Sequence, residues 1–206
     1  MLQPHHRALV FDCDGTLADS MPVHWIAWHE TLKSHRLDHL MDHARFTALG
    51  GVPALQILEM LGRESGRVLD ARAIMLEKYD AYFRHAHRIQ PIALTVELAR
   101  SQKGKLPMAV ATGSTRTGVT RTLEAIGMTD FFDAVVCADD VTRHKPHPET
   151  FLRCAELLGV APEACLAFED AVPGLEAARA AGMDVVDMNV LLNPGPDPAA
   201  DPAAGG

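Results

Sequence analysis

No stretch of the 206-residue chain is apolar for long enough to cross a bilayer, no two of its four cysteines stand in C-x-x-C spacing, and its eleven histidines form no H-E-x-x-H or Cys/His cluster. Each absence closes a class. A membrane partner is not expected. Cys13, Cys137, Cys154 and Cys165 sit singly in apolar runs and read as buried thiols of a reducing compartment, and zinc finds no ligand pattern. Positive charge is scarce too: 19 Lys and Arg face 27 Asp and Glu, a formal net charge of -8. A nucleic-acid partner is therefore not expected, and any anionic substrate must be met by locally placed cations. His5, His6 and Arg7 run straight into an apolar segment and leave no room for a signal peptide, so a cytoplasmic location is expected. Internal repeats are absent. Residues 193–206 are Asn, Pro, Gly, Asp and Ala without periodicity, which predicts a disordered tail.

What remains is enough for a core. Hydrophobic residues make up 48% and charged residues 22%, and the length suits one sizeable domain or a core domain carrying a smaller one. The run Ala8-Leu9-Val10-Phe11 reads as a buried strand that ends in Asp12-Cys13-Asp14-Gly15-Thr16. Residues i and i+2 of an extended chain point the same way, so Asp12 and Asp14 share a face. Their charges repel unless a cation lies between them or one holds a proton. Taken alone, the same residues also suit a plain strand followed by an Asp-Gly turn.

From about residue 20 to 88 no strand is expected. Trp25, Trp28 and Leu32 recur at helical spacing, Gly50-Gly51 breaks the chain, Leu55, Leu58 and Leu61 make a short helix, and Leu69, Ala73, Leu76 and Phe83 a longer one. Beyond that, helices at 94–102, 115–126, 148–158 and 173–181 alternate with strands at 107–112, 133–138, 164–169 and 183–188. Gly127, Gly159 and Gly182 stand as helix stops, and Pro148 as a first helical residue. The alternation predicts an α/β fold: a Rossmann-like parallel sheet core, residues 1–19 and 89–192, with an α-helical insertion at 20–88.

Ligands of such sheets bind beyond the carboxyl ends of the strands. The second core strand ends in Thr112-Gly113-Ser114 before a helix, which suits a phosphate or an ordinary helix cap. The third leads to Lys145 between prolines and a histidine, and the fourth ends in Glu169-Asp170. Carboxylates, a hydroxyl, a helix N-terminus and one lysine thus converge on one sheet edge. Oxygens from Asp12 and Asp170 match what magnesium requires.

The ordered segments F-D-C-D-G-T, A-T-G-S, H-K-P-H-P-E and F-E-D-A-V-P-G resemble the four motifs of the haloacid dehalogenase superfamily, from about residue 7 to 190. Within it the chain resembles the β-phosphoglucomutase-like group, in particular bacterial fructose-1-phosphate phosphatases. The resemblance implies a helical cap domain, Mg2+ as cofactor, and a small phosphate ester as partner. Asp12 would be the nucleophile, and Asp14 the acid that protonates the leaving oxygen and later takes a proton from water. Asp12, the Asp14 carbonyl and Asp170 would hold the metal, with Glu169 acting through water. Thr112 and the Gly113 N–H would bind the phosphoryl group, and Lys145 would neutralise charge. Asp14 must then hold a proton when substrate enters, which burial near Asp12 favours. Substrate choice would involve Ser114, His24 and Arg84. Ala54 stands where the mutases carry an arginine for a second phosphate, so a sugar-phosphate phosphatase is expected ahead of a mutase. A monomer or small homo-oligomer suits either.

Overall fold

The computed structural model describes residues 2–192; the segment expected to be a disordered tail lies outside them. Five strands, β1 (Ala8–Phe11), β4 (Met108–Ala111), β5 (Ala134–Val136), β6 (Cys165–Glu169) and β7 (Asp184–Asp187), form one parallel sheet in the order β5-β4-β1-β6-β7. A two-stranded antiparallel ribbon joins β2 (Ala18–Asp19) to β3 (Gln90–Pro91). The helices are α1 (Met21–Ser34), α2 (His43–Ala48), α3 (Ala54–Ser65), α4 (Ala71–His85), α5 (Ala93–Gln102), α6 (Arg116–Ala125), α7 (Glu149–Leu158), α8 (Val172–Ala180) and α9 (Met188–Leu192).

β1 is central because it is apolar on both faces, and every residue of it is fully buried. Period-two alternation sorts its side chains. Leu9 and Phe11 join Met108, Val110, Leu166 and Phe168 in one cluster, which α5 and α6 cover with Val96, Ala99, Val119 and Leu123. Ala8 and Val10 join Ala109, Ala111 and Ala167 in the other, where the small side chains let α7 and α8 come close through Phe151, Cys154, Ala177 and Ala178. The helices α1 to α4 carry a core of their own, built from Trp28, Leu32, Met41, Phe46, Ile57, Leu58, Leu61 and Ile74. β1 pairs with β4 on one side and β6 on the other, so the chain direction across the sheet reverses at the end of β1.

Four local readings differ from the sequence expectations. The ribbon β2/β3 has two residues per strand, too few for any periodicity to show. Helix α2 starts at an Asp42 side chain that accepts from the Arg45 N–H at 2.8 Å, a cap without an apolar repeat behind it. Leu76 is exposed, because the buried face of α4 runs through Ile74, Lys78, Tyr79, Ala81 and Tyr82. Pro148 precedes α7 as its cap, and Glu149 is the first helical residue. Gly127, Gly159 and Gly182 all adopt positive φ at helix ends, as expected of stops.

Candidate active site

The buried ionisable residues Asp12, Lys145 and Glu169, with the buried Thr112, gather beyond the carboxyl ends of β1, β4 and β6. Lys145, with its side chain 1% exposed, donates to Asp12 Oδ1 at 2.6 Å, Glu169 Oε2 at 2.6 Å and the Ala111 carbonyl at 3.1 Å. All three of its ammonium protons are therefore placed. Glu169 also accepts from the backbone N–H groups of Asp170 at 3.2 Å and Ala171 at 3.0 Å. Helix α8 sits over this carboxylate only because residue 174 is glycine: a Cβ there would lie 2.1 Å from Glu169 Cδ. Gly15 is required in the same way. Its φ is +95°, and a Cβ would overlap the Asp170 carboxylate at 2.2 Å. Thr16, next in that turn, donates to Asp170 Oδ1 at 3.0 Å.

Carboxylate oxygens of Asp12, Glu169 and Asp170 lie within 4.8 Å of one another. One ammonium cannot balance three carboxylates. Burial, reinforced by Glu169, pushes the Asp12 carboxyl well above its usual range and that of Asp170 up to about 7. Burial alone would lower Lys145, but Asp12 and Glu169 outweigh it and hold the ammonium above its ordinary value. A buried cluster of hard oxygen donors with excess negative charge fits a small divalent cation, which would balance what Lys145 does not.

Asp14 faces away from that cluster, toward the helical segment. Its Oδ1 accepts from Ser20 Oγ at 2.6 Å and His24 Nε2 at 3.1 Å, and its Oδ2 from Ser114 Oγ at 2.7 Å. Burial pushes this carboxyl up, but His24 and the bonds from His24, Ser20 and Ser114 outweigh it and hold Asp14 well below the usual range. Burial was expected to favour a proton on Asp14; in the metal-free protein three converging donors oppose it and favour the carboxylate form.

Behind His24 stands Lys78, whose Nζ donates to His24 Nδ1 at 2.9 Å. An ammonium has no lone pair, so Nδ1 accepts and the ring proton is on Nε2, directed at Asp14. Burial and Lys78 both lower the pKa of His24, consistent with a neutral ring. Lys78 is itself lowered to about 8 by burial, within 4.7 to 5.7 Å of the ring centroids of Trp28, Tyr79 and Tyr82.

Thr112 closes β4, and its hydroxyl oxygen accepts from the Ser114 N–H at 3.0 Å. At Gly113 a Cβ would lie 2.4 Å from the Gly51 carbonyl oxygen, so glycine is what admits the loop of the helical segment onto the core. Gly50 meets Ala171 from the same loop. The resulting cleft is lined by Asp12, Asp14, Thr112, Gly113, Ser114, Glu169 and Asp170 on one side. Across from them stand His24, Lys78, Tyr79 and an apolar wall including Met21, Trp28, Met41, Phe46, Val52 and Ile57, with Ala54 among them.

Arg84 is not brought to this cleft. Its exposed side chain pairs with Glu30 at 3.1 Å, because two residues beyond the inward-facing Tyr82 turns it to the opposite side of α4. The cation found in the cleft instead is Lys78. The signal for it was an Ile74-Lys78-Ala81-Tyr82 stripe at i, i+4, i+7 and i+8, in which one lysine occupies an apolar position. Thr16, which orients Asp170, closes the first motif but was given no role there, and Ser20, which orients Asp14, carries no signal beyond lying shortly after it. Among the described residues no helix is long and apolar enough to cross a membrane.

A model of the haloacid dehalogenase-like hydrolase family matches residues 6–182. The chain is 41% identical over 187 residues to the fructose-1-phosphate phosphatase YqaB of Escherichia coli, covering 90% of this chain and 98% of that protein. It is 30% identical to a phosphorylated carbohydrates phosphatase of Thermotoga maritima, over 86% of this chain and 82% of that one. Among solved structures, a β-phosphoglucomutase from Clostridium difficile superimposes with a TM-score of 0.80 at 25% identity, covering 88% of this chain and 84% of that chain.

Proposed function

The chain belongs to the haloacid dehalogenase-like hydrolases and is a phosphoric monoester hydrolase, and from that premise we propose that it is a magnesium-dependent phosphatase of small sugar phosphates, fructose 1-phosphate or a similar ester, working through an aspartyl-phosphate. The observation that carries this reading is the buried cluster in which Lys145 bridges Asp12 and Glu169 at 2.6 Å each beside Asp170. The sugar-phosphate assignment rests on the likeness to the E. coli and T. maritima phosphatases.

Asp12 attacks phosphorus and the ester bond to the sugar oxygen breaks. The Thr112 hydroxyl and the Gly113 N–H hold the phosphoryl oxygens, while Lys145 reduces the repulsion between an anionic nucleophile and an anionic ester. Magnesium, when bound by Asp12, Asp170 and the Asp14 carbonyl with Glu169 acting through water, supplies the remaining positive charge at the transferring group. Asp14 delivers a proton to the leaving oxygen and then takes one from the water that hydrolyses the acyl phosphate. The carboxylate form of Asp14 is the one the second half-reaction uses. For the first half His24 Nε2–H, 3.1 Å away, is the adjacent proton source, and Lys78 can return the proton at Nδ1.

The helical segment 20–88 acts as a cap. It shields the leaving group in the first half-reaction and admits water in the second, with the β2/β3 ribbon at its base. A mutase must grip a bisphosphate at both ends. Among the described residues the cation lining this cleft is Lys78, with Lys145 behind, and both are already engaged, while position 54 offers only a methyl group. A phosphatase is therefore favoured.

A phosphate-release panel of sugar phosphates tests the reading. Turnover of one or more hexose or ketose monophosphates is expected with magnesium and none above background after EDTA. Activity that survives the chelator, or isomerised product without net phosphate, overturns it. A second measurement concerns pH. Since protons on Asp12, held well above its usual range, and on Asp170, raised to about 7, compete with the cation in the metal-free protein, calorimetric magnesium affinity should fall as pH drops from 8 to 5.5, by roughly tenfold per unit for each displaced proton. An affinity that stays constant over that range would remove both carboxylates from the ligand set.

A further inference from the structure

We propose that Tyr82 is a positioning residue that couples the seating of the helical segment on the core to the aim of His24 at Asp14; the proposal rests on the phosphatase reading above only in what it says about rate. Tyr82 is fully buried on α4. Its hydroxyl lies 2.7 Å from Thr122 Oγ1 on α6, across the boundary between helical segment and core. Thr122 has one hydroxyl proton and donates it to the Gly118 carbonyl at 3.1 Å, so the proton between the two side chains belongs to Tyr82. The face of the same ring lies against His24, with centroids 4.1 Å apart and planes 13° from parallel.

These contacts form one path whose two ends both lie on the core. It starts at α6, passes through Tyr82 on α4 and His24 on α1, and ends at Asp14 after β1. Tyr79, one turn before Tyr82, guides the same seating. Its hydroxyl accepts from the Thr115 N–H at 3.4 Å, and its ring edge meets Gly118, where a Cβ would lie 3.0 Å away. If α4 lifts from α6, the ring that backs His24 goes with it, and the 3.1 Å bond from Nε2 to Asp14 loses its aim. Proton delivery is then available only while the helical segment is seated, which suits a leaving group that must be protonated away from bulk water.

The test compares Tyr82→Phe, Thr122→Val and the double variant on two esters. Fructose 1-phosphate leaves as a basic alkoxide and needs the proton; p-nitrophenyl phosphate leaves as a stabilised phenolate and does not. Each single variant should lower kcat for fructose 1-phosphate by about tenfold, the double variant no further, and kcat for the aryl ester by less than about twofold. Equal losses on both esters, or none on either, overturn the proposal. Long-range 1H–15N spectra, with His24 assigned through His24→Gln, give a readout apart from activity. The wild-type Nε2–H, held against Asp14, should exchange slowly with water, and that of Thr122→Val several-fold faster. An unchanged exchange rate in Thr122→Val overturns the coupling. If the wild type turns over neither ester, the phosphatase reading fails while the spectra still decide the coupling.

Discussion

Asp12→Asn is expected to lower phosphate release by at least about 10^4-fold, on the order of 5 kcal/mol of transition-state stabilisation, while leaving the fold as stable as before or more so. The first half follows from chemistry: an amide of the same shape cannot form the aspartyl-phosphate. The second follows from charge. In the metal-free protein Asp12, Glu169 and Asp170 crowd one ammonium, and burial already pushes the Asp12 carboxyl upward, so its ionised form is an electrostatic burden on the fold. Asparagine removes that charge and keeps an oxygen for Lys145. Steady-state phosphate release and thermal unfolding without magnesium check the two halves. More than about 1% residual activity would take the nucleophile's role from Asp12, since covalent routes leave little when the nucleophile is gone. A lowered midpoint would make the loss structural.

The sequence shows the Asp12 site clearly and the surroundings of Asp14 poorly. Asp12, Thr112 and Asp170 stand at the ends of apolar runs, and a parallel sheet must bring the ends of such runs to one edge, so local pattern and topology agree, while Lys145 reaches that edge from the loop after β5. Asp14 shares a motif with Asp12, and burial beside that residue was expected to favour a proton on it. Its ionisation is decided instead by Ser20, His24 and Ser114, from a turn, a helix of the insertion and the end of β4. No spacing rule encodes that convergence. Arg84 and Lys78 divide for a simpler reason: six residues along α4 rotate a side chain by about 240°, so the basic residue picked by likeness faces solvent while the one on the apolar stripe faces the cleft.

Lys145→Met should cost both activity and stability, which separates it from Asp12→Asn. Methionine fills the space but donates nothing, so Asp12 and Glu169, nearly inaccessible to solvent, lose the ammonium that lies 2.6 Å from each. Breaking a buried pair in this way costs roughly 3 to 5 kcal/mol. The loss of fixed positive charge beside the nucleophile should lower kcat by about 10^3-fold. The dependence on pH has a definite sign. In the wild type Lys145 is held above its ordinary value, so its contribution is fully present below the unfolded-state pKa and is lost only as pH rises through the still higher folded value. Between pH 5 and 8 it is constant. In the variant the stranded carboxylates can be relieved only by protons, so their folded-state pKa values rise above the unfolded ones, and stability is gained as pH falls. The deficit in unfolding midpoint should therefore be largest near pH 8 and shrink toward pH 5; an equal deficit at both would assign the loss to packing against Phe151 rather than to charge. The double variant Asp12→Asn/Lys145→Met closes the cycle. With one carboxylate neutralised, the second substitution strands one buried anion instead of two, so part of the stability should return while activity does not.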